Sequence, residues 1–237
     1  MLVTRICGVN DGGVFALAFA TAQLLLTFGR YGMRTYQATD VRCNYTFLEY
    51  GTSRVLTCAG MILFAWIYSA AAGYSSYKTQ IFIWVAALKM IDAVEDVYHG
   101  ELQRGHQVAL MGKLLAARNL FSCLVFGIVI IFSRSLRATC ILTAVLSLIF
   151  AVAINHPAVS RTCGTPKKLR LGNLKRLFLI CFPIFISTFL SLYLYNIPKY
   201  AIDSYLTEDI QTYYSILFMP SFIITLFSEI ITKPVLT

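Results

Sequence analysis

Charge is scarce in this sequence. Asp, Glu, Lys and Arg make up 13% of its 237 residues, against roughly 25% in soluble domains. That excludes a soluble globular enzyme, a solvated disordered chain and a nucleic-acid binder. It does so although the balance is basic, with 20 Lys and Arg against 11 Asp and Glu. Paired cysteines are lacking too. The seven cysteines are odd in number, no two form a CxxC, and Cys58, Cys123, Cys140 and Cys181 sit inside apolar runs. Neither a disulfide framework nor a zinc site is expected, and the thiols read as small apolar fillers. Phosphate-loop, dinucleotide, zinc-protease and nucleophile-elbow signatures are all missing, so no enzyme and no cofactor is expected. His99, His106 and His156 are spread over different loops and make no metal set. The start of the chain, Met1 to Arg5 followed by a polar turn over Gly8 to Gly13, has no charged n-region and no cleavage site of a secretory signal.

What the chain has is apolar length. Hydrophobic residues make up 58% and the mean hydropathy is +0.69. A transmembrane helix needs about 20 mostly apolar residues. Seven segments qualify: 12–29, 55–73, 79–98, 109–133, 138–155, 174–197 and 211–232. The fold class is therefore an all-α polytopic membrane protein, its short connections implying antiparallel neighbours in a bundle. Pro183 and Pro220 fall inside the last two segments.

Lys and Arg concentrate on one side. The links 30–54, 99–108 and 156–173, with the adjoining ends at Lys175, Arg176 and Lys233, hold twelve; the opposite side holds five: Arg5, Lys78, Arg134, Arg137 and Lys199. The richer side is expected to be cytoplasmic, which puts the N-terminus outside and the C-terminus inside. An outside N-terminus without a signal, and an end at Pro234 to Thr237 without a polar tail, lead to the expectation of an internal piece of a longer protein. A complete seven-helix protein is the alternative.

Ionisable groups at membrane depth point to function. Lys89, Asp92, Glu95, Asp96 and His99 fall within an arc of about 120° on the segment 79–98 and its end. Three carboxylates against one Lys need a proton, a cation or an outside partner such as Arg. Two readings stay open: a wet cavity or proton relay, and static ion pairing, with Asp96 and His99 near enough to the helix end to be simply solvated. Arg30, Arg34 and Gln37 are spaced i, i+4, i+7 and share a face if the first helix continues. They make either a positive-inside anchor or a cationic mouth for an anionic head group, since Arg forks onto phosphate oxygens. Lys113 and Arg118 are weaker candidates of the same kind, with snorkelling as the alternative. The stretch Arg161 to Arg176 holds six basic residues and no acid, and reads as a cytoplasmic linker between two halves or a site for anionic lipid. Asn196, Pro198, Lys199 and Tyr200 end the segment 174–197, where a solvated helix end is the simple account.

Four stretches carry a family resemblance: Thr4 to Gly8 with Gly13 to Phe15 and Tyr31 to Asp40; Glu95 to Gly105 with Gly112, Lys113 and Arg118; Asn196 to Leu206; and Phe218 to Pro220 with Leu226 to Ser228. In this order they resemble the polysaccharide flippases of the MOP exporter superfamily, Wzx-type, although His106 stands where that pattern carries Arg. The resemblance implies two six-helix lobes around a central cavity. Residues 1–156 would be the first lobe without its helix 1, residues 157–173 the basic inter-lobe linker, and residues 174–237 the start of the second lobe. It implies translocation of undecaprenyl-pyrophosphate-linked oligosaccharide across the cytoplasmic membrane of a bacterium or archaeon by alternating access. The partners it implies are that lipid-linked oligosaccharide, membrane lipids, and a polysaccharide polymerase and glycosyltransferases. The cavity candidates are then Arg30, Arg34, Gln37, Lys89 and Arg118. Asp92, Glu95 and Asp96 are the candidates for coupling to H⁺ or Na⁺. A multidrug or cation antiporter of the same superfamily is a rival, disfavoured by the arginines; a non-transporting scaffold or decayed fragment is another.

Overall fold

The computed structural model describes residues 2–40, 45–162, 171–221 and 224, and every regular element among them is helical. These are α1 (Leu2–Cys7), α2 (Val9–Arg30), α3 (Met33–Thr39), α4 (Phe47–Ala71), α5 (Ser76–Arg104), α6 (Val108–Ser133), α7 (Leu136–Thr162), α8 (Leu171–Tyr205) and α9 (Glu208–Leu217). Five of them, α2, α4, α6, α7 over Leu136–Asn155 and α8 over Gly172–Tyr205, are long and apolar enough to cross a membrane. The architecture is all-helical and compatible with a polytopic membrane protein.

Seven spans were expected; the one over 79–98 changes, and the one over 211–232 is described only in part. Helix α5 is long enough at 29 residues but is punctuated by charge from Lys78 to Arg104. Helix α9 ends at Leu217 after 10 residues, with Phe218 as its C-cap, and helical structure resumes over 219–221. Pro220 explains the interruption: it has no N–H to donate, and in an unbroken helix its ring would crowd the carbonyl four residues earlier. The rest of the segment 211–232, apart from Ile224, lies outside the described residues beyond Ser221. The basic linker is also shorter than expected, because α7 runs on to Thr162 and α8 begins at Leu171; the basic residues Lys167, Lys168 and Arg170 lie outside the described residues.

The link between the first two segments is largely helical. Helix α4 starts eight residues before the expected position, at Phe47, behind a capping box. Thr46 Oγ1 accepts from the Glu49 N–H at 3.3 Å, and the Glu49 carboxylate accepts from the Thr46 N–H at 2.8 Å. Two orphan donors of the first turn are thereby satisfied. The first helix does not continue through Arg34. Tyr31 and Gly32 both take left-handed conformations, at φ 48° and 65°, and α3 starts afresh at Met33. Gly32 suits the position twice over: its φ carries no Cβ penalty, and a Cβ there would strike Ile184 of α8.

Helix α5 is the central helix, packed against α2, α3, α4, α6 and α7. Both of its faces are buried. Ile81, Phe82, Val85 and Ala86 join Leu17 and Ala18 of α2, Met61 and Ala65 of α4, and Leu136 and Cys140 of α7 in the main core cluster. Glu95, Asp96, His99 and Glu101 are buried as well. Among lipid tails no hydrophobic force separates helix from solvent, so association relies on close packing at small residues. Gly13 of α2 meets the Glu208 backbone of α9, and Gly29 lies against Met61 and Ala93. Large apolar side chains point outward instead from α6 (Leu120, Leu124, Ile131, Phe132) and α8 (Leu179, Leu190, Leu194), a surface suited to hydrocarbon. Cys58, Cys140 and Cys181 are buried free thiols, as filler requires, whereas Cys123 is exposed on α6.

Candidate functional site

A cleft of about 560 Å³ lies between α2, α3 and α5 on one side and α8 with the residues after Thr212 on the other. Its walls are mixed. Phe19, Leu26, Ile184, Leu192, Phe218 and Met219 are apolar; Gln23, Thr27, Thr35, Thr188, Asn196 and Ser215 are polar; Arg30, Arg34, Asp96 and Lys199 carry charge.

Three arginines converge on the single carboxylate. Asp96 Oδ1 receives Arg34 Nη1 at 3.3 Å and lies 3.7 Å from Arg30 Nε; Oδ2 receives Arg54 Nη2 at 3.3 Å. Local folding explains the convergence. The left-handed break at Tyr31 and Gly32 ends α2 just past Arg30 and restarts the chain with Arg34 in the first turn of α3. The early start of α4 turns Arg54 from a loop residue into a helix residue, 2% exposed. Arg54 also donates to the Gly29 carbonyl, which receives Thr57 Oγ1 at 2.8 Å. Glycine at position 29 lets α4 come close enough for this. Arg30 and Arg34 keep 44% and 30% of their side chains exposed, while Asp96 keeps 2%. The group therefore carries three positive charges against one negative, and two of its guanidiniums face the cleft.

The neighbouring acids of α5 are placed differently. Asp92 pairs with Lys89 at 3.0 Å and with Arg118 of α6; Glu95 pairs with Arg118 Nε at 3.2 Å and receives Asn155 Nδ2 of α7 at 2.7 Å. Two acids meet two cations, with an amide closing the set. None of Lys89, Asp92, Glu95 and Arg118 is among the residues lining the cleft. Arg118 is 5% exposed, so it does not snorkel to the interface. Gln37 is fully buried on α3 and donates to Glu101 at 3.0 Å and to the Val97 carbonyl at 3.3 Å. The face shared by Arg30, Arg34 and Gln37 is therefore not formed, because the helix breaks between the first two. Asp96 and His99 are each 2% exposed rather than solvated.

Of the cavity candidates, then, Arg30 and Arg34 line the cleft, and of the coupling candidates Asp96 does. Two cleft or near-cleft cations, Arg54 and Lys199, stand in the sequence as a loop charge and a helix-end charge. The Thr-x-x-Glu pattern at Thr46 to Glu49 is the signal that would have moved α4 forward and placed Arg54 in the bundle. Lys199 belongs to the polar end Asn196 to Tyr200, where its sequence neighbours give no sign that it enters a cleft.

A second network ties α5, α8 and α9 together one turn along α8 from Lys199. Lys78 of α5 reaches Asp203 of α8 at 2.6 Å and Glu208 of α9 at 2.7 Å, and sits 4.0 Å over the Tyr74 ring. Tyr74, in the turn before α5, donates to Asp203. Its phenol pKa is raised by burial and then by this hydrogen bond, so it stays protonated as the donor. Thr212 Oγ1 donates to the Val9 carbonyl at 2.7 Å. Among the described residues, no group of three or more His, Cys, Asp and Glu is placed to hold a metal ion. Compared with known proteins, the chain matches no family model, no curated sequence and no solved structure.

Proposed function

We propose that the chain is part of a membrane transporter that takes an anionic lipid-linked oligosaccharide, of the undecaprenyl-pyrophosphate type, into the cleft between α2 and α8. The observation that carries this reading is the unbalanced charge at Asp96: two guanidiniums, Arg30 and Arg34, open to a cleft in a membrane-compatible bundle. Pyrophosphate is the kind of group that planar guanidiniums bind with paired hydrogen bonds. The apolar stretch of the wall suits an isoprenoid chain, and the rungs of Thr, Gln and Asn suit sugar hydroxyls. The resemblance to Wzx-type flippases supplies the rest: translocation across the cytoplasmic membrane by alternating access, in the service of surface polysaccharide synthesis, with the N-terminal end of this chain outside. Asp96 is the residue through which proton or cation coupling would act on the same arginines.

A cation antiporter would need a cleft with net negative charge. Here Asp96 is the sole carboxylate among the described lining residues and is covered by three arginines, so the antiporter reading has no feature of the cleft in its favour.

The test is binding of undecaprenyl pyrophosphate to the chain in nanodiscs, comparing wild type with R30Q/R34Q. Affinity should fall by about tenfold or more in the double variant, the loss expected for charge-assisted hydrogen bonds. Equal affinity in both proteins overturns the proposal.

A further inference from the structure

Lys199 is the other cation of the cleft. Fifteen residues of α8 separate it from Ile184, which meets Gly32 beside the arginines. That is about 22 Å of helix, roughly two-thirds of the hydrocarbon thickness of a bilayer. A phosphate-sized anion cannot touch both ends at once.

Among the described residues no carboxylate lies within ion-pair distance of Lys199, and the reason is visible. Its natural partner is Asp203, four residues on along the same helix. Asp203 turns instead to Lys78 and Tyr74, and the next acid, Glu208, also goes to Lys78. Asp203 and Glu208 are therefore engaged, the third acid of this end, Asp209 of α9, makes no ion pair with Lys199, and Lys199 is left as a half-buried cation in the cleft wall. Such a charge is costly to bury without a counter-charge. Hydrogen-bonding capacity is also left over in the same cleft and on α9. Ser215 lines the same cleft, and its hydroxyl is buried without a partner. One turn back on α9, Gln211 is 1% exposed with neither amide atom partnered. Unsatisfied buried polar groups call for an explanation, and an anion at Lys199 would complete the Ser215 hydroxyl, which lines the cleft with it.

We infer that Lys199 and Ser215 form a second station for a phosphate-type anion, at the opposite end of the cleft from Arg30 and Arg34. The inference rests on the transport reading and deepens it: an anionic head group has one resting place at each end of its path, with the Lys78–Asp203–Glu208 network next to the second.

The test uses the full chain in nanodiscs of zwitterionic lipid, titrated with labelled inorganic pyrophosphate and read by equilibrium dialysis. Two sites per chain are expected. K199M should weaken one of them by about tenfold or more and leave the other unchanged, K199R should restore it, and K199Q serves where K199M folds poorly. R34Q should weaken only the other site. Unchanged binding in both K199M and K199Q overturns this inference while leaving the arginine site standing. Unchanged binding in R34Q with loss in K199M removes the arginine reading and keeps the Lys199 station. Absence of any pyrophosphate binding by the wild type overturns both. Repeating the titration with phosphatidylglycerol in the disc separates the sources: displacement of pyrophosphate from the Lys199 site assigns that station to a lipid phosphate, and retention assigns it to a soluble anion.

Discussion

Two ion clusters sit on neighbouring turns of α5 and are built on opposite principles. Around Asp92 and Glu95, acids and cations are equal in number, an amide from Asn155 completes the set, and the cleft is elsewhere. Around Asp96, three guanidiniums share one carboxylate and two of them look into the cleft. A balanced buried cluster has no net charge to offer a ligand: it locks α5 to α6 and α7, although Arg118 Nη2 is left without a hydrogen-bond partner. An unbalanced one holds its arginines in place with a single internal anion and keeps positive charge in reserve. Burial alone does not separate the two, since Glu95 and Asp96 are almost equally hidden. The count of charges does.

The sharpest way to break this contrast is R118L. It strips Glu95 of its cation and Asp92 of one of two, inside the bundle. Removing one partner of a buried pair costs about 3–5 kcal/mol, so the variant should unfold at markedly lower denaturant in detergent, with any folded fraction binding pyrophosphate normally at the arginines. Normal stability would show that the first cluster is not structural. D96N comes next. It leaves three arginines without their carboxylate and should cost about 3 kcal/mol, but here added pyrophosphate should restore part of the loss by binding the folded state. A melting curve of D96N that ignores pyrophosphate would erase the distinction between the clusters. G32A is smaller. A left-handed residue gains a Cβ that meets Ile184, for about 1–2 kcal/mol, and the displacement of Arg30 from Arg34 should weaken anion binding more than stability. Intact binding in G32A would mean that the α2–α3 break does not position the site. R34Q should have the least effect on stability, within about 1 kcal/mol for a partly exposed pair, and yet lower pyrophosphate affinity about tenfold. If stability and affinity fell together, Arg34 would belong with the structural cluster.

Much of the helical frame was legible before the structure. Apolar runs located α2, α4, α6, α7 and α8 because hydropathy is a local property and lipid demands it along the whole span. The polar stripe of α5 was legible for the same reason, since Lys89, Asp92, Glu95 and Asp96 recur at helical spacing. Its partners were not. Arg118 was a candidate for snorkelling and is a buried counter-ion; Arg54 was counted as a loop charge and is among the most buried residues of the chain. The spacing of Arg30 and Arg34 suggested one continuous face, and the residues between them, Tyr31 and Gly32, break it while still delivering both side chains to Asp96.

The sequence by itself determined that this is an all-helical chain fit for a membrane, that α5 carries charge where lipid would not tolerate it, and that the chain as a whole is basic. Those are sums over neighbouring residues. The tertiary structure alone decided which cation meets which acid, because those choices join distant segments: Arg54 is 42 residues from Asp96 in sequence, and Lys78 is 125 from Asp203. Whether a charge is spent within the protein or kept for a ligand depends on how many opposite charges the fold brings within a few ångströms, and no local pattern counts them.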